Sequence, residues 1–416
     1  MLTLDPAPHP AHDPLALDCD LAIIGGGIVG ATLAAALRGS GLRICLFEAN
    51  SLNGLKQRQR AYAVSLLSSQ IFTGIGIWNK IAPQIAPFRR IQLSDADYGR
   101  TVGFGPEDVG LPALGYVAEH QILTAELQAF LATSPQVQWR WEAQVTQVEP
   151  GTDYTVVHYH QGEEAKQVKT RLVVGADGAR SPIRQQAQIH TKGWKYWQSC
   201  VTFTIRHQNP SNDTAYERFW YDGPMGVLPL PGNRCQVVWT APHAEAQALQ
   251  ALAPDEFLAR FAERTQHSFT GLEVISDRFL FPVQLMQSDR YSQPRLALIG
   301  DAAHCCHPVG GQGLNLGIRD AAALAEVLTT AHRNGEDLGS PAVLKRYERW
   351  RKPENWVILA FTDFLDRFFS NRIAPIVALR RLGLWGLHLI YPAKILALRL
   401  MTGFLGRRPQ LAKLGE

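Results

Sequence analysis

The stretch LAIIGGGIVGATLAAALRGSGLRICLFE, Leu21 to Glu48, constrains the fold more than any other part of the chain. Leu21–Ile24 is an apolar run of buried-strand length. Gly25, Gly27 and Gly30 then spell G-x-G-x-x-G and lead into Ala31–Leu37, an Ala-rich helix former. A second apolar strand, Leu42–Phe47, ends in Glu48. Each part has a physical reason. Gly25 permits the tight turn, and Gly27 lets a pyrophosphate approach the backbone beside Ile28 and Val29. Gly30 and Ala34 let helix and strand pack closely, while the helix N-terminus faces the phosphates. Glu48, at a strand end, can accept both hydroxyls of a ribose. An acid there disfavours a 2′-phosphate, so the unit predicts FAD or NAD rather than NADP.

Two later segments bear on that choice. RLVVGADGARSPIR (Arg171–Arg184) is a strand followed by Gly175, Asp177, Gly178, Ser181 and Arg184. RLALIGDAAHCCHPVGGQGLNLGIRD (Arg295–Asp320) is a strand, then Gly300-Asp301, a glycine-rich loop and a helical pattern. A strand ending in Gly-Asp puts a carboxylate at the carboxyl edge of a sheet, where open α/β folds bind ligands. There Asp301 could take a ribityl hydroxyl. A helix starting near Gly313-Leu314 would face the N1/C2 edge of a flavin, which is negative when reduced. The adjacent His304, Cys305, Cys306 and His307 raise the question of a metal. Structural zinc ligands are normally spaced by two or more residues, so none is expected here.

Taken together, the three motifs resemble those of the group A flavin aromatic hydroxylases. In this sequence they read G-x-G-x-x-G, then G-A-D-G-x-x-S-x-x-R, then G-D-A-A-H-x-x-x-P-x-x-G-Q-G-x-N. RAYAVS (Arg60–Ser65), GIGIW (Gly74–Trp78), LGYVAEHQIL (Leu114–Leu123), ERFWYDGPMGVLPLP (Glu217–Pro231), VVWT (Val237–Thr240) and YERWRKPEN (Tyr347–Asn355) are similar to the ubiquinone-biosynthesis hydroxylase branch, which acts on polyprenylated phenols. The departures are Cys305-Cys306, commonly a threonine plus a variable residue, and His120, where asparagine is usual.

The resemblance implies an α/β fold: an FAD-binding, Rossmann-like (GR2-type) domain interleaved with an α+β antiparallel-sheet substrate domain and followed by C-terminal helices. The expected division is an arm at 1–17, an FAD domain from 18–70, 110–195 and 285–345, a substrate domain from 71–109 and 196–284, and a helical segment at 346–416. It further implies FAD as cofactor, NAD(P)H as a transient co-substrate, and O₂ activated as a flavin C4a-hydroperoxide that hydroxylates a prenylated phenol or quinone precursor. Arg60 would contact the pyrophosphate, with His120, Asp177, Gly178, Gly313, Leu314 and Asn315 completing the cofactor set. The loop Pro308, Gly310, Gly311 and Gln312 would carry the flavin edge. No side-chain base emerges. His304 is the nearest titratable residue, and a structural role bonding the backbone at a strand-helix turn is expected for it. A prenyl-chain reductase or epoxidase, or a silent flavin-bearing scaffold of a quinone-biosynthesis complex, are the competing readings.

Bulk features are compatible. A chain of 416 residues exceeds one core, and 46% hydrophobic with 19% charged residues is ordinary for a globular protein. Six scattered cysteines without a C-x-x-C fit a reducing, cytoplasmic setting. The first residues lack the apolar run of a signal peptide. From Pro341 to Glu416 there are 14 Lys/Arg against 5 Asp/Glu, on a chain whose total is +4. No recognition motif accompanies that charge, so nucleic acid is not expected. The segment predicts amphipathic helices with Arg380, Arg381, Lys394 and Arg399 interspersed, suited either to packing on the flavin domain or to docking on an anionic membrane surface.

Overall fold

The computed structural model describes residues 16–52, 54, 59–95, 98–108 and 110–414. The expected arm at 1–17 thus lies almost wholly outside the described residues. Cys19–Ile24 runs through the middle of a sheet, with Glu164–Gly175 on one side and Ile44–Phe47 on the other, both parallel to it. Leu296–Leu298 adds beyond Glu164–Gly175, and Val137–Arg140 beyond Ile44–Phe47, again parallel. Leu21, Ile23, Leu46, Leu172, Val174 and Leu298 are all fully buried. Strands covered on both faces read as unbroken apolar runs, which is how these read in the sequence. Helices Ile28–Ala36, His120–Ala132 and Gln312–Arg333 pack together over the sheet.

Register brings the motifs to one line. Ile24 pairs with both Phe47 and Gly175, and Gly175 pairs with Leu298. Glu48, Gly25, Asp177 and Asp301 therefore follow four adjacent strand ends, a row spanning roughly 14 Å at the usual strand spacing.

A second sheet runs in the order His304–Cys305, Phe279–Ser288, Thr191–Arg206, Arg234–Pro242, Met225–Leu230, Thr214–Phe219, Arg90–Asp95, Thr101–Phe104. Its pairings are antiparallel except that of Thr214–Phe219 with Arg90–Asp95. Helix Pro254–Arg264 lays Phe257 and Phe261 edge-on against Phe203.

Two expected boundaries need correction. Ile71, Phe72, Ile75, Ile77 and Ile81 belong to the core around the parallel sheet, because helix Leu66–Ile75 packs there, so residues 71–85 do not go with the substrate sheet. The 345/346 boundary falls inside a single helix, Pro341–Phe369. The apolar C-terminal stretch then forms Ala374–Leu389 and Tyr391–Thr402, divided at Ile390, just ahead of Pro392. Among the described residues no helix is long and apolar enough to cross a membrane.

The basic residues of this segment mostly follow the packing alternative. Arg380 is buried and paired with Asp95 at 2.9 Å, Arg381 reaches the same carboxylate at 3.2 Å, and Lys394 pairs with Asp108 at 2.8 Å. Three of the four cations thus hold the helices to the protein; Arg399 is exposed.

One buried carboxylate joins the layers. Asp320 Oδ2 accepts from Gly300 N (3.1 Å) and bonds His304 Nε2 (2.6 Å), while Oδ1 accepts from Arg351 Nε (2.8 Å) and Asn355 Nδ2 (3.0 Å). His304 is thus anchored by a side-chain carboxylate rather than by the backbone. Burial alone would raise the Asp320 carboxyl, but His304 and Arg351 outweigh it and hold it at about 2. An unfolded aspartate titrates at about 3.9, so the node contributes about 2–3 kcal/mol that is complete above roughly pH 5 and lost as pH falls toward 2. Asp320→Asn leaves buried Arg351 with only the partly exposed Glu354 as charge partner and should cost up to about 3–5 kcal/mol in denaturant unfolding at pH 7. It should also flatten the acid limb of the stability profile.

Candidate active site

The row of strand ends opens on a cavity of about 1390 Å³ that extends under the second sheet to the C-terminal helices. Of the residues singled out in the sequence, Gly27, Ile28, Val29, Arg60, His120, Asp177, Gly178, Asp301, Pro308, Gly310, Gly311, Gly313 and Leu314 line it. Gly25, Gly30 and Glu48 lie behind that lining. Gly25 has φ +110°, and a Cβ on Gly30 would fall 2.0 Å from the Gly25 carbonyl oxygen, so both glycines are demanded by the turn itself. Gly27 differs: a Cβ there would meet nothing within 4 Å and would project into open space at the helix N-terminus. The two oxygens of Glu48 accept from Gly26 N (3.0 Å) and from Asn50 N (2.9 Å) and Nδ2 (2.7 Å), which orients the carboxylate at its strand end.

The second and third motifs are tied together. Asp177 accepts from Ile183 N (3.1 Å), and Arg184 donates to the carbonyls of Ala179 and Ala302, each at 2.8 Å. Asp301 is exposed only into the cavity, deep in the molecule. That enclosure pushes its carboxyl above the usual range, with His304 and Arg60 pulling back. The guanidinium of Arg60 stacks 3.6 Å over the ring of Phe281. His120 opens helix His120–Ala132, with Nδ1 3.3 Å from the Tyr62 hydroxyl.

In the third loop Gly310 (φ +69°) and Gly311 (φ +61°) are consecutively left-handed, a turn that only glycines make cheaply. The following helix starts at Gln312, slightly earlier than the sequence suggested. That shift redirects two side chains expected at the flavin. Gln312 is buried away from the cavity, donating to Gly310 O (2.9 Å) and Met401 O (3.1 Å). Asn315 accepts from Ser65 N and Ser68 Oγ, each at 2.8 Å, and donates to Ala63 O and Gly311 O. Both side chains brace the loop, and Gln312 Oε1 is left buried without a hydrogen-bond partner among the described residues.

The adjacent His-Cys-Cys-His side chains diverge. His304 goes to Asp320, and His307 Nδ1 accepts from Val309 N at 3.2 Å. Cys305 lies near Gln284, and Cys306 faces the cavity. Burial pushes the Cys306 thiol up to about 12, so it stays protonated and a poor nucleophile.

One cavity residue carried no role in the sequence reading. Glu217, on strand Thr214–Phe219, points its Oε2 at Gly310 N (3.2 Å). The only signal was an acid between Tyr216 and Arg218 with Ala215 and Phe219 two positions away, the spacing that puts three side chains on one face of a strand.

A model of the FAD binding domain matches residues 18–362. The chain is 56% identical over 393 residues to an uncharacterised protein of Synechocystis, covering 94% of this chain and 95% of that protein. It is 35% identical to the ubiquinone hydroxylase UbiL of Rhodospirillum rubrum, covering 95% and 92%. The chain belongs to the FAD-dependent aromatic hydroxylases, in the ubiquinone-hydroxylase branch. The solved p-nitrophenol 4-monooxygenase PnpA of Pseudomonas putida shares the fold, with TM-score 0.78 at 19% identity over 94% of this chain and 98% of that one.

The cofactor of this hydroxylase is FAD, and the residues fit it. The open space at Gly27 is a cradle that a side chain would fill, and Asp301 and the Pro308–Gly311 loop face the same cavity. Gly27→Val should therefore leave the melting temperature of the FAD-free protein unchanged while weakening FAD binding at least about tenfold, about 1.4 kcal/mol. Gly30→Ala, which collides with Gly25, should lower both; fluorescence titration and calorimetry separate the two.

Proposed function

We propose that this hydroxylase uses NAD(P)H and O₂ to place one oxygen atom on the ring of a prenylated phenol or quinone precursor. The carrying observation is that one cavity is lined both by the Pro308–Gly311 loop and by a cluster of apolar side chains. Phe88, Phe104, Phe219, Leu384, Leu387 and Leu398 belong to that cluster and face the cavity. An aromatic head near Pro308–Gly311 would leave a prenyl tail along these side chains, whose burial is worth roughly 25 cal/mol per Å². The name of the R. rubrum relative, a ubiquinone hydroxylase, supports the same class. Bound flavin supplies hydride acceptance from the nicotinamide and electrons for O₂. The chain supplies position, dryness and charge: the N-terminus of helix Gln312–Arg333 favours negative charge at the flavin edge, and the apolar walls exclude water. Turnover of a prenylated phenol under ¹⁸O₂ should give a ring hydroxyl carrying one ¹⁸O. Unlabelled or chain-saturated product would sink the reading.

The C-terminal helices support delivery of such a substrate from a membrane surface. Leu379, Leu382, Leu389, Ile390, Tyr391 and Leu396 are each more than half exposed, while Leu384, Leu387 and Leu398 of the same helices wall the cavity. One face thus meets solvent where the other meets the tail. Since Arg380, Arg381 and Lys394 are engaged with acids, docking rests on the apolar face. Leu382→Asp with Leu389→Asp should reduce co-sedimentation with phosphatidylglycerol vesicles several-fold, while Arg399→Gln should reduce it little. Equal binding by all three proteins would exclude this face.

A further inference from the structure

The proposed chemistry attacks an electron-rich ring, and removing the phenol proton makes the ring far richer. The residue that removes it has so far been missing. Glu217 stands where such a group must be. Its strand sends Ala215, Glu217 and Phe219 into the cavity, and its carboxylate meets the backbone N–H of Gly310 in the flavin-edge loop. The paired residue on one neighbouring strand is Gly226, where an added Cβ would sit in van der Waals contact with Oε2 at 3.7 Å, so the glycine leaves room for one atom beside the carboxylate. On the other neighbour it is Leu93. The carboxylate therefore lines the same cavity as the Pro308–Gly311 loop and the apolar side chains proposed to hold the tail, in direct contact with that loop.

We propose that Glu217 is the catalytic base of this hydroxylase, accepting the phenol proton of the bound substrate. This rests on the prenylated-phenol reading given above. The O–H bond breaks, its electron pair stays on the ring oxygen, and the proton moves to Glu217. Once the ring carbon has gained oxygen and lost its own hydrogen to solvent as a proton, the proton on Glu217 returns to the ring oxygen.

The surroundings suit the task. Burial pushes the Glu217 carboxyl up to about 7, opposed only by the Gly310 N–H. A base poised near the working pH is the efficient one. Gly226 and Leu93 bring no charge, and Pro308–Gly311 has no titratable side chain. Arg380 on the cavity wall is held by Asp95. Cys200, the other titratable neighbour, has its thiol pushed up to about 12 by burial, with the charges of Asp366 and Glu217 adding to it.

The test compares Glu217→Gln, which keeps an acceptor for Gly310 N, with the native protein. The probes are a geranyl-substituted phenol and its methyl ether, which cannot donate a proton. Their affinities are read by tryptophan fluorescence in both FAD-free and FAD-loaded protein. In the native protein the phenol should bind roughly tenfold more tightly than the ether above pH 7, about 1.4 kcal/mol, and this preference should fade below it. In the Gln variant the ratio should not change with pH. Hydroxylation should fall about 10²–10⁴-fold and lose its rise through pH 7, while the FAD affinity stays native. The assignment fails if the variant keeps the pH-dependent preference, or keeps a pH-dependent rate near native. It fails together with the substrate reading if neither probe binds the native protein. Binding of both probes without pH dependence overturns Glu217 alone.

Discussion

The arrangement turns on a carboxylate with no access to water. Asp320 receives the Gly300 amide, the His304 ring, the Arg351 guanidinium and the Asn355 amide. A charge in that position is tolerable only because every lone pair is engaged. Its partners come from the turn after a parallel strand, the edge of the second sheet, and the long helix Pro341–Phe369. The stretch between Gly300 and Gly311 is consequently held at its start by Asp320 and at its end by Asn315. Asp301 and the flavin-edge loop take their positions from those two anchors.

The same stretch couples the two sheets. His304–Cys305 pairs with Phe279–Ser288, adding a short strand to the substrate sheet within a few residues of the dinucleotide sheet's last strand. Thr191–Arg206 and Phe279–Ser288 then carry that sheet away from the flavin region and back. The antiparallel sheet and the parallel sheet are thus joined through one short stretch of backbone, so a displacement of the loop would be felt by both.

What could be read from the sequence was what depends on local spacing. Apolar runs ending in Gly-x-Gly, Gly-Asp or Glu mark strand ends, and register alone then places Gly27, Asp177 and Asp301 around one cavity. The unread part depends on partners far along the chain. Whether Arg380 faces lipid or protein is decided by Asp95, 285 positions away. Asn315 and Gln312 lie in a recognisable motif, but their directions follow from where the first helical turn begins and from Ala63, Ser65 and Met401 packed against it. Glu217 was visible only as an acid between Tyr216 and Arg218, and its meaning comes from Gly310 approaching across the cavity.

Gln312 bonded to the carbonyl of Met401 has a consequence for the order in which the protein can be made. The cradle at Gly27 is written within the first thirty residues, yet its neighbouring strand ends come from Glu164–Gly175 and Leu296–Leu298. The loop facing it is pinned by a residue fifteen positions from the end. Contacts this distant in sequence form late and slowly. During synthesis Cys19–Ile24 can pair early with Ile44–Phe47 and then with Glu164–Gly175, while the loop facing the turn must wait for Leu296–Leu298 and for Met401. A chain lacking Tyr391–Thr402 would leave Gln312, and with it the Gly310–Gly311 turn, without the Met401 carbonyl that fastens it.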